Sequence, residues 1–255
     1  MNQPKETFRE EPEHYALSRP RYPEELFAWL AAHSTRREVV WDCATGNGQA
    51  AIGLSHWFKH IYATDMSEEQ ITHAISAPNV TYSQQVAEHS KLPDQSVDLV
   101  TVAQALHWFD FTLFWSEVRR VARPGSLFAA WGYDWLFVTP EIDARLIVPF
   151  REIIAPFWAS NNQILWHGYR DEDIRFPFRR IDGPRISIRM KWTLHQIIAY
   201  MKTWSAYKMS RADAATNDAI GRLLAATSNL APQEQLFDVN MPLKFVLGRL
   251  PSESS

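Results

Sequence analysis

The sequence predicts an α/β fold in which a doubly wound, mostly parallel sheet carries helices on both faces. Three observations predict this class. An apolar strand at 39–43 runs into a turn that contains Gly46 and Gly48. Short apolar segments then alternate with helical segments as far as residue 133. The segment 97–103 is largely apolar, which is typical of a central parallel strand buried on both faces.

Bulk properties narrow the function classes. The chain has 255 residues, 46% of them hydrophobic and 22% charged. This length is enough for one full α/β domain with an insertion, which we favour, or for two small domains. A net charge of -3 gives no support for a nucleic-acid or membrane-surface partner. No apolar run is long enough to span a membrane, and the first residues lack the pattern of a signal peptide. With the single Cys43 unable to form an internal disulfide, we expect a cytoplasmic protein.

The residues at 1–36 are predicted to form an N-terminal segment that ends in a helix. Pro23 suits the first position of that helix, and apolar residues follow at Leu26, Phe27 and Leu30. Tyr15 and Arg19 precede it. They belong either to an exposed loop or to a lid over the glycine turn.

The glycine turn begins the ligand-binding part of the predicted core at 37–135. Its two glycines let a ligand approach the backbone, and the free N–H groups of the helix at 49–59 point to the same place. A second strand at 60–65 ends at Asp65, which lies 65 − 46 = 19 residues beyond Gly46. An acid near this spacing binds ribose hydroxyls in mononucleotide units. Asp65 and Asp42 have the alternative role of capping the helices that follow them.

The rest of the core follows the same alternation. Ser67 and Gln70 have the spacing of a capping box. Strands are predicted at 79–83, 97–103 and 126–133, with a loop at 84–96 and a helix at 110–122.

The pattern changes beyond Trp135. We expect a helical, aromatic lid insertion at 136–183, then strands and helices at 184–250 that complete the core, and a tail at 251–255. Alternating apolar residues at 186–192 and 237–247 predict two strands that add an antiparallel edge to the sheet. Between them, Thr193 to Gln196 has the capping-box pattern, and helices are expected to about 209 and at 211–228.

The sequence from Gly46 to Ala51 also matches the dinucleotide pattern G-x-G-x-x-G/A, so an NAD(P)-dependent oxidoreductase is an alternative. The polar run at 42–45 argues against it. In dinucleotide sites, an apolar strand usually passes directly into the first glycine.

Longer motifs favour another cofactor. The segment Val-Val-Trp-Asp-Cys-Ala-Thr-Gly-Asn-Gly at 39–48 resembles motif I of class I S-adenosylmethionine-dependent methyltransferases. The segments at 97–110 and 118–132 resemble the fourth-strand and fifth-strand motifs of that superfamily. Ala-Glu at 87–88, Gln-Ala-Leu-His-Trp-Phe at 104–109 and the lead-in at 15–23 are similar to the trans-aconitate methyltransferase-like branch that acts on small molecules. The resemblance implies a Rossmann-like sheet of seven strands, the last of them antiparallel.

The same resemblance implies a set of S-adenosylmethionine-binding residues. The backbone of the glycine turn and Asp42 would lie by the methionine part, Asp65 by the ribose and Met66 over the adenine. Ala87 with Glu88 would meet the adenine edge, and Gln104 would lie near the amino-acid end. The set is Asp42, Ala44, Gly46, Gly48, Asp65, Met66, Ala87, Glu88 and Gln104. Ala44 replaces the usual first glycine and Val86 replaces a common acid, which keeps a catalytically inactive cofactor-binding protein as an alternative.

The expected reaction is methyl transfer to a small molecule, most simply to the oxygen of a carboxylic acid. His107 is the candidate base, titrating near neutral pH, if the acceptor needs deprotonation; its alternative role is packing. Aromatic and basic residues are the candidates for substrate binding: Tyr15, Arg19, Trp108, Trp131 and Trp135. The sequence shows no metal-ligand spacing, and we expect a monomer or homodimer without a metal.

Overall fold

The computed structural model describes residues 20–252. The chain divides into two compact units, each assembled from segments that are distant in sequence. The larger unit contains residues 21–134, 163–188 and 242–252, and the smaller contains 135–162 and 189–241. The segment predicted as an insertion, 136–183, contributes residues to both units.

The larger unit is built on a seven-stranded sheet whose parallel part has the order β3-β2-β1-β4-β5. These strands are β1 (Val39–Cys43), β2 (His60–Asp65), β3 (Val80–Gln84), β4 (Val97–Ala103) and β5 (Ala122–Gly132). Strands β1 and β4 lie in the middle and are buried almost throughout, as their apolar sequences predict. The strand order switches between β1 and β4, and in sheets of this kind ligands bind at the carboxyl ends of the strands beside such a switch point.

An antiparallel edge completes the sheet and confirms the predicted fold class. Strand β9 (Lys244–Arg249) pairs antiparallel with β5, and the two-residue β6 (Arg179–Arg180) pairs with the far side of β9. The long strand expected at 237–247 is divided at Leu243, however, because β8 (Leu236–Pro242) ends there and joins another sheet.

Short helices connect the strands of the larger unit. Helix α1 (Glu24–His33) precedes β1, α2 (Gln49–Ser55) follows the glycine turn, and α3 (Glu68–Thr72) follows β2. A 3₁₀ turn at Leu106–Trp108 leads to α4 (Phe111–Val121), and α7 (Asn162–Trp166, mostly in this unit) and α8 (Asp171–Ile174) complete the set. Asp110 caps α4 by accepting hydrogen bonds from the backbone of Thr112 and Leu113.

The smaller unit is mainly helical. It contains α5 (Pro140–Ile142), a π-helical turn (Asp143–Ile147), α6 (Val148–Ile154) and a 3₁₀ turn (Ala155–Phe157). Further along are α9 (Leu194–Met201), α10 (Ser205–Ser210) and α11 (Ala214–Thr227). Thr193 and Gln196 form both halves of the predicted capping box at the start of α9.

Strand β7 (Ser187–Thr193) corrects one prediction. It pairs with β8 in a separate two-stranded sheet and does not extend the antiparallel edge of the large sheet. The alternating pattern at 186–192 predicts a strand with one wet face, but it contains no information about which strand is its partner. Among residues 20–252, no helix has the length and apolar character needed to cross a membrane.

Candidate functional site

The glycine turn has the backbone geometry of a ligand cradle. Ala44, Gly46 and Gly48 all have positive φ, at 53°, 58° and 88°. A Cβ on Gly48 would lie 2.1 Å from the Tyr82 hydroxyl, so a larger residue there would require the Tyr82 side chain to move. A Cβ on Gly46 would meet the Gln70 side chain at 3.7 Å, an ordinary contact. Space therefore remains beside Gly46 for a ligand that approaches the backbone.

Asp42 lies beneath this turn with no exposed surface. Its two carboxylate oxygens accept hydrogen bonds from the Thr101 hydroxyl at 2.7 Å and the Thr45 hydroxyl at 2.5 Å. Burial raises the pKa of Asp42 to about 6, and the negative charge of Asp65 also raises it. The hydrogen bonds from the Thr45 and Thr101 hydroxyls lower it and offset part of this effect. A buried carboxylate in this state is stabilised in its ionised form by a nearby cation.

Asp65 connects the turn to the next helix. One carboxylate oxygen accepts from the Gly46 N–H at 2.8 Å and the other from the Ser67 N–H at 2.9 Å. Ser67 in turn caps α3 by accepting from Gln70. The carboxylate therefore supports both the glycine turn and the start of the next helix. Met66, directly after it, is 59% exposed, as a residue that covers a ligand must be.

The loop after β3 carries the predicted adenine contacts. Val86 is exposed and forms an isolated bridge with His89, while Ala87 packs against the main apolar core. Glu88 accepts a hydrogen bond from the Asp110 N–H at 3.1 Å, so its carboxylate holds the turn before α4. The sequence does not predict this role, because the two residues are 22 positions apart.

Gln104 has a second role that sequence reasoning missed. Its amide donates to the Tyr133 carbonyl at 2.9 Å and accepts from the Tyr133 N–H at 3.0 Å. The side chain thus continues the hydrogen-bonding pattern of β4 and β5 beyond the strand ends, and its backbone adopts a positive φ of 58° to do so.

His107 lies near this point but is buried. Its Nδ1 lies 3.2 Å from the hydroxyl of Tyr169, a fully buried residue that no sequence signal identifies. Burial lowers the pKa of His107 to about 4, which corrects the expected titration near neutral pH. Burial also raises the pKa of Tyr169 far above its usual value. At neutral pH the pair is therefore an uncharged hydrogen-bonded pair.

The candidate substrate residues are not all in one place. Trp131 lies in β5, fully buried, on the same sheet face as Thr101 and with its ring edge-on to Tyr22 at 5.5 Å. Trp108 is partly exposed beside His107. Trp135 belongs to the smaller unit, where it contacts Trp158 and Trp204. Tyr15 and Arg19 lie outside the described residues.

The described part of the chain contains no group of three or more His, Cys, Asp or Glu side chains with the placement of a metal site. The chemical groups at the carboxyl ends of β1, β2 and β4 are instead carboxylates, backbone N–H groups and amides. These are the partners of a polar organic ligand with hydroxyl and amino groups.

Comparison with known proteins identifies the family. The family model described as a methyltransferase domain matches residues 41–130. A methyltransferase-family protein of Dictyostelium discoideum is 30% identical over 243 residues, which cover 92% of this chain and 91% of the relative. A solved structure from Anaeromyxobacter dehalogenans, described as a type II methyltransferase, is 37% identical with a TM-score of 0.84. It covers 91% of this chain and 99% of its own. The chain belongs to the class I S-adenosylmethionine-dependent methyltransferases.

Membership of this family decides between the enzyme classes that the sequence left open. The candidate site lies within the residues that match the family domain, 41–130. These residues include the glycine turn, Asp65, the loop after β3, Gln104 and His107. The G-x-G-x-x-A pattern at 46–51 is therefore part of a methyltransferase motif, and the nicotinamide alternative is wrong. The trans-aconitate methyltransferase-like branch stays a prediction.

Proposed function

We propose that this methyltransferase binds S-adenosylmethionine at the glycine turn and transfers its methyl group to a carboxylate oxygen of a small molecule. The observation that carries the cofactor site is the placement of two carboxylates around one turn. Asp65 accepts from the Gly46 N–H, and buried Asp42 lies below the same loop. When bound, the cofactor supplies an electrophilic methyl group on a positively charged sulfur.

Each residue of the site has a distinct role in this proposal. Asp42 faces the positive charge of the methionine part, directly or through water, and Asp65 accepts from the ribose hydroxyls. Met66 covers the adenine, and Ala87 and Glu88 meet its edge. The backbone at Ala44, Gly46 and Gly48 lies against the methionine part, with Gln104 at its amino-acid end. Alignment of the acceptor with the methyl group and exclusion of water are the main tasks of the protein.

The state of His107 supports an acceptor that is already ionised. A neutral imidazole whose pKa is about 4 is a weak proton acceptor, so deprotonation of an alcohol or amine by His107 would be unfavourable. A carboxylate needs no base at neutral pH. In this proposal, His107 and Trp108 orient the acceptor and Trp131 lines its pocket. Tyr15, Arg19 and Trp135 are further candidates for acceptor contacts.

Calorimetric titration with S-adenosylmethionine, S-adenosylhomocysteine, NAD and NADP tests the cofactor. We expect saturable binding of the two adenosyl compounds alone. Asp65→Ala should weaken S-adenosylhomocysteine binding by about a hundredfold, because the variant loses charge-assisted hydrogen bonds to the ribose. Asp238→Ala, which removes an exposed carboxylate of the smaller unit, is the matched control. Wild-type affinity in Asp65→Ala would refute the site.

The acceptor is tested by methyl transfer from methyl-labelled S-adenosylmethionine to a panel of small acids, alcohols and amines. A methyl ester releases labelled methanol in mild alkali, whereas an ether or an N-methyl product does not. Alkali-stable products alone would contradict carboxylate methylation and leave the cofactor assignment intact.

We further propose that the enzyme acts in the cytoplasm as a monomer or homodimer, without metal or nucleic acid.

A further inference from the structure

The loop at 85–96 contains the predicted adenine contacts Ala87 and Glu88, yet regular secondary structure contributes little to its position. Within the loop, the backbone pairing is the isolated bridge between Val86 and His89. The Gln85 side chain closes the loop by accepting from the Lys91 N–H at 2.6 Å. Backbone bonds attach the two ends of the loop, because the Gln85 N–H donates to the Asp65 carbonyl and the Gln95 and Ser96 N–H groups donate to the carbonyls of Arg120 and Val121. Between these ends, side chains of α4 provide further attachments.

Glu117 of α4 is the first of these attachments. It is 5% exposed, and one carboxylate oxygen accepts from both the N–H and the hydroxyl of Ser90, at 2.7 and 2.6 Å. Both oxygens also accept from Arg120, at 2.9 and 2.5 Å, in a two-pronged ion pair. A bidentate pair of this kind is directional as well as strong.

Arg120 extends the attachment along the loop. Its guanidinium donates to the Leu92 carbonyl at 2.8 Å, to the Asp94 carboxylate at 2.6 Å and to the Ser90 carbonyl at 3.2 Å. We call Glu117 and Arg120 together the loop clamp. These two side chains hold three residues of the loop, while Glu88 holds the other end of α4 through the Asp110 N–H.

The electrostatics show that the clamp is charged at neutral pH. Burial by itself would raise the pKa of Glu117, but hydrogen bonds from Arg120 and Ser90 outweigh it and hold the pKa below the usual value. Hydrogen bonds to the carboxylates of Glu117 and Asp94 raise the pKa of Arg120. Removing the positive charge of Arg120 would leave the buried carboxylate of Glu117 without its cationic partner, which is costly.

We propose that the loop clamp positions Ala87 and Glu88 for the adenine of the cofactor and so controls affinity and base selectivity without touching the ligand. The inference rests on the proposed function, because it assigns a purpose to the loop only if adenine binds there. Glu117 and Arg120 are then positioning residues. Ser90 lies two residues beyond Glu88, so a displacement at Ser90 is transmitted to the contact residues over one short stretch of backbone.

Two clamp variants and two matched controls test the proposal. Glu117→Gln keeps the shape but removes the charge, and Arg120→Lys keeps the charge but removes the two-pronged geometry. Arg119→Lys changes an exposed arginine of the same helix, and Glu141→Gln breaks the exposed pair with Arg145. Both controls leave the loop bonds intact.

We expect calorimetry to show an affinity for S-adenosylhomocysteine about tenfold lower in Glu117→Gln, with a smaller loss in Arg120→Lys. Preference over S-inosylhomocysteine, which replaces the adenine amino group by a carbonyl, should also fall. Hydrogen exchange should accelerate at the Ser90 and Leu92 amides, and both controls should match the wild type.

A merely structural clamp predicts a different result. Glu117→Gln would then have a lower melting temperature, but wild-type affinity and base preference well below that temperature, and this outcome would overturn the proposal. If Glu117→Gln does not fold, Ser90→Ala removes one hydroxyl from the loop side; about a two- to threefold loss of affinity supports the clamp and no loss overturns it. Absence of S-adenosylhomocysteine binding in the wild type would instead refute the proposed function.

Discussion

Ala44 has a backbone conformation that its side chain disfavours. It has a φ of 53°, in the left-handed region, where a Cβ costs about 1 kcal/mol or more. The related motif usually has glycine at this position, and the structure shows why: the turn needs a left-handed residue here as well as at Gly46 and Gly48.

Ala44→Gly should therefore stabilise the protein. Removing the strain outweighs the larger conformational entropy of glycine in the unfolded chain, so we expect the free energy of unfolding to rise by about 0.5 to 1 kcal/mol. Denaturant titration measures it. The control is Ala50→Gly inside α2, where the same substitution should cost roughly 1 kcal/mol. A lower free energy of unfolding in Ala44→Gly than in the wild type would show that Ala44 is not strained.

Asp42 predicts a specific pH dependence of stability. Its folded pKa of about 6 lies above the ordinary value of 3.8, so its contribution is fully present below pH 3.8 and is lost as the pH rises through 6. Asp42→Asn cannot ionise. The difference in unfolding free energy between variant and wild type should therefore shift in favour of the variant by roughly 3 kcal/mol across this interval.

Denaturant titrations at several pH values from 3.5 to about 7 test this expectation. The comparison isolates Asp42 because both proteins contain His107, whose lowered pKa acts in the opposite direction over an overlapping range. Parallel pH profiles for the two proteins would show that Asp42 titrates normally. Ligand affinity of Asp42→Asn in the same series reports on the cofactor.

At the scale of elements, Gln104 joins the ends of β4 and β5. Its amide pairs with both backbone groups of Tyr133, where the strands themselves no longer pair. Gly132 permits this arrangement, because a Cβ there would lie 2.5 Å from the Gln104 side-chain oxygen.

Gln104→Glu should destabilise the protein by about 1 to 3 kcal/mol, since a carboxylate would face the Tyr133 carbonyl in place of a donor. Thermal unfolding followed by circular dichroism measures the change. Gln85→Glu is the control. That side chain accepts from the Lys91 N–H and donates to the Ser83 hydroxyl; a carboxylate keeps the first bond, and the hydroxyl can rotate to donate to it in place of the second. Equal melting temperatures for Gln104→Glu and the wild type would show that the Gln104 bonds to Tyr133 do not stabilise the protein.

Two alternating segments show what a local sequence pattern predicts about strands and what it does not. The alternation at 186–192 and 237–247 predicts strands and their apolar faces, and both are present in the structure. It does not predict that β7 pairs with β8, or that the chain leaves one sheet at Pro242 and enters the other at Lys244. Pairing partners depend on contacts between distant segments, whereas alternation is a property of one segment.

At the scale of the whole molecule, the two units are interleaved along the chain. The edge of β5 in the larger unit is covered by β9, which lies near the end of the chain. Six residues of β5, from Leu127 to Gly132, each pair with a residue of β9. Truncation after Met241 would leave that edge unpaired and its apolar residues exposed.

We therefore expect the chain truncated after Met241 to lose its cooperative thermal transition and to accumulate as aggregate. Circular dichroism and the soluble fraction after expression report the two effects. Truncation after Ser252, which retains β9, should behave as the full chain. Wild-type melting of the shorter chain would show that the parallel strands fold without their antiparallel edge.

The sequence by itself determined the sheet of parallel strands, the glycine turn, the acids at the strand ends and the resemblance to methyltransferases, because each depends on residues close together in the chain. Only the tertiary structure decided the charge state of His107, the Tyr133 contact of Gln104, the clamp on the loop at 85–96 and the division into two units. Burial and long-range hydrogen bonds arise from residues that are far apart in sequence, so no local pattern encodes them.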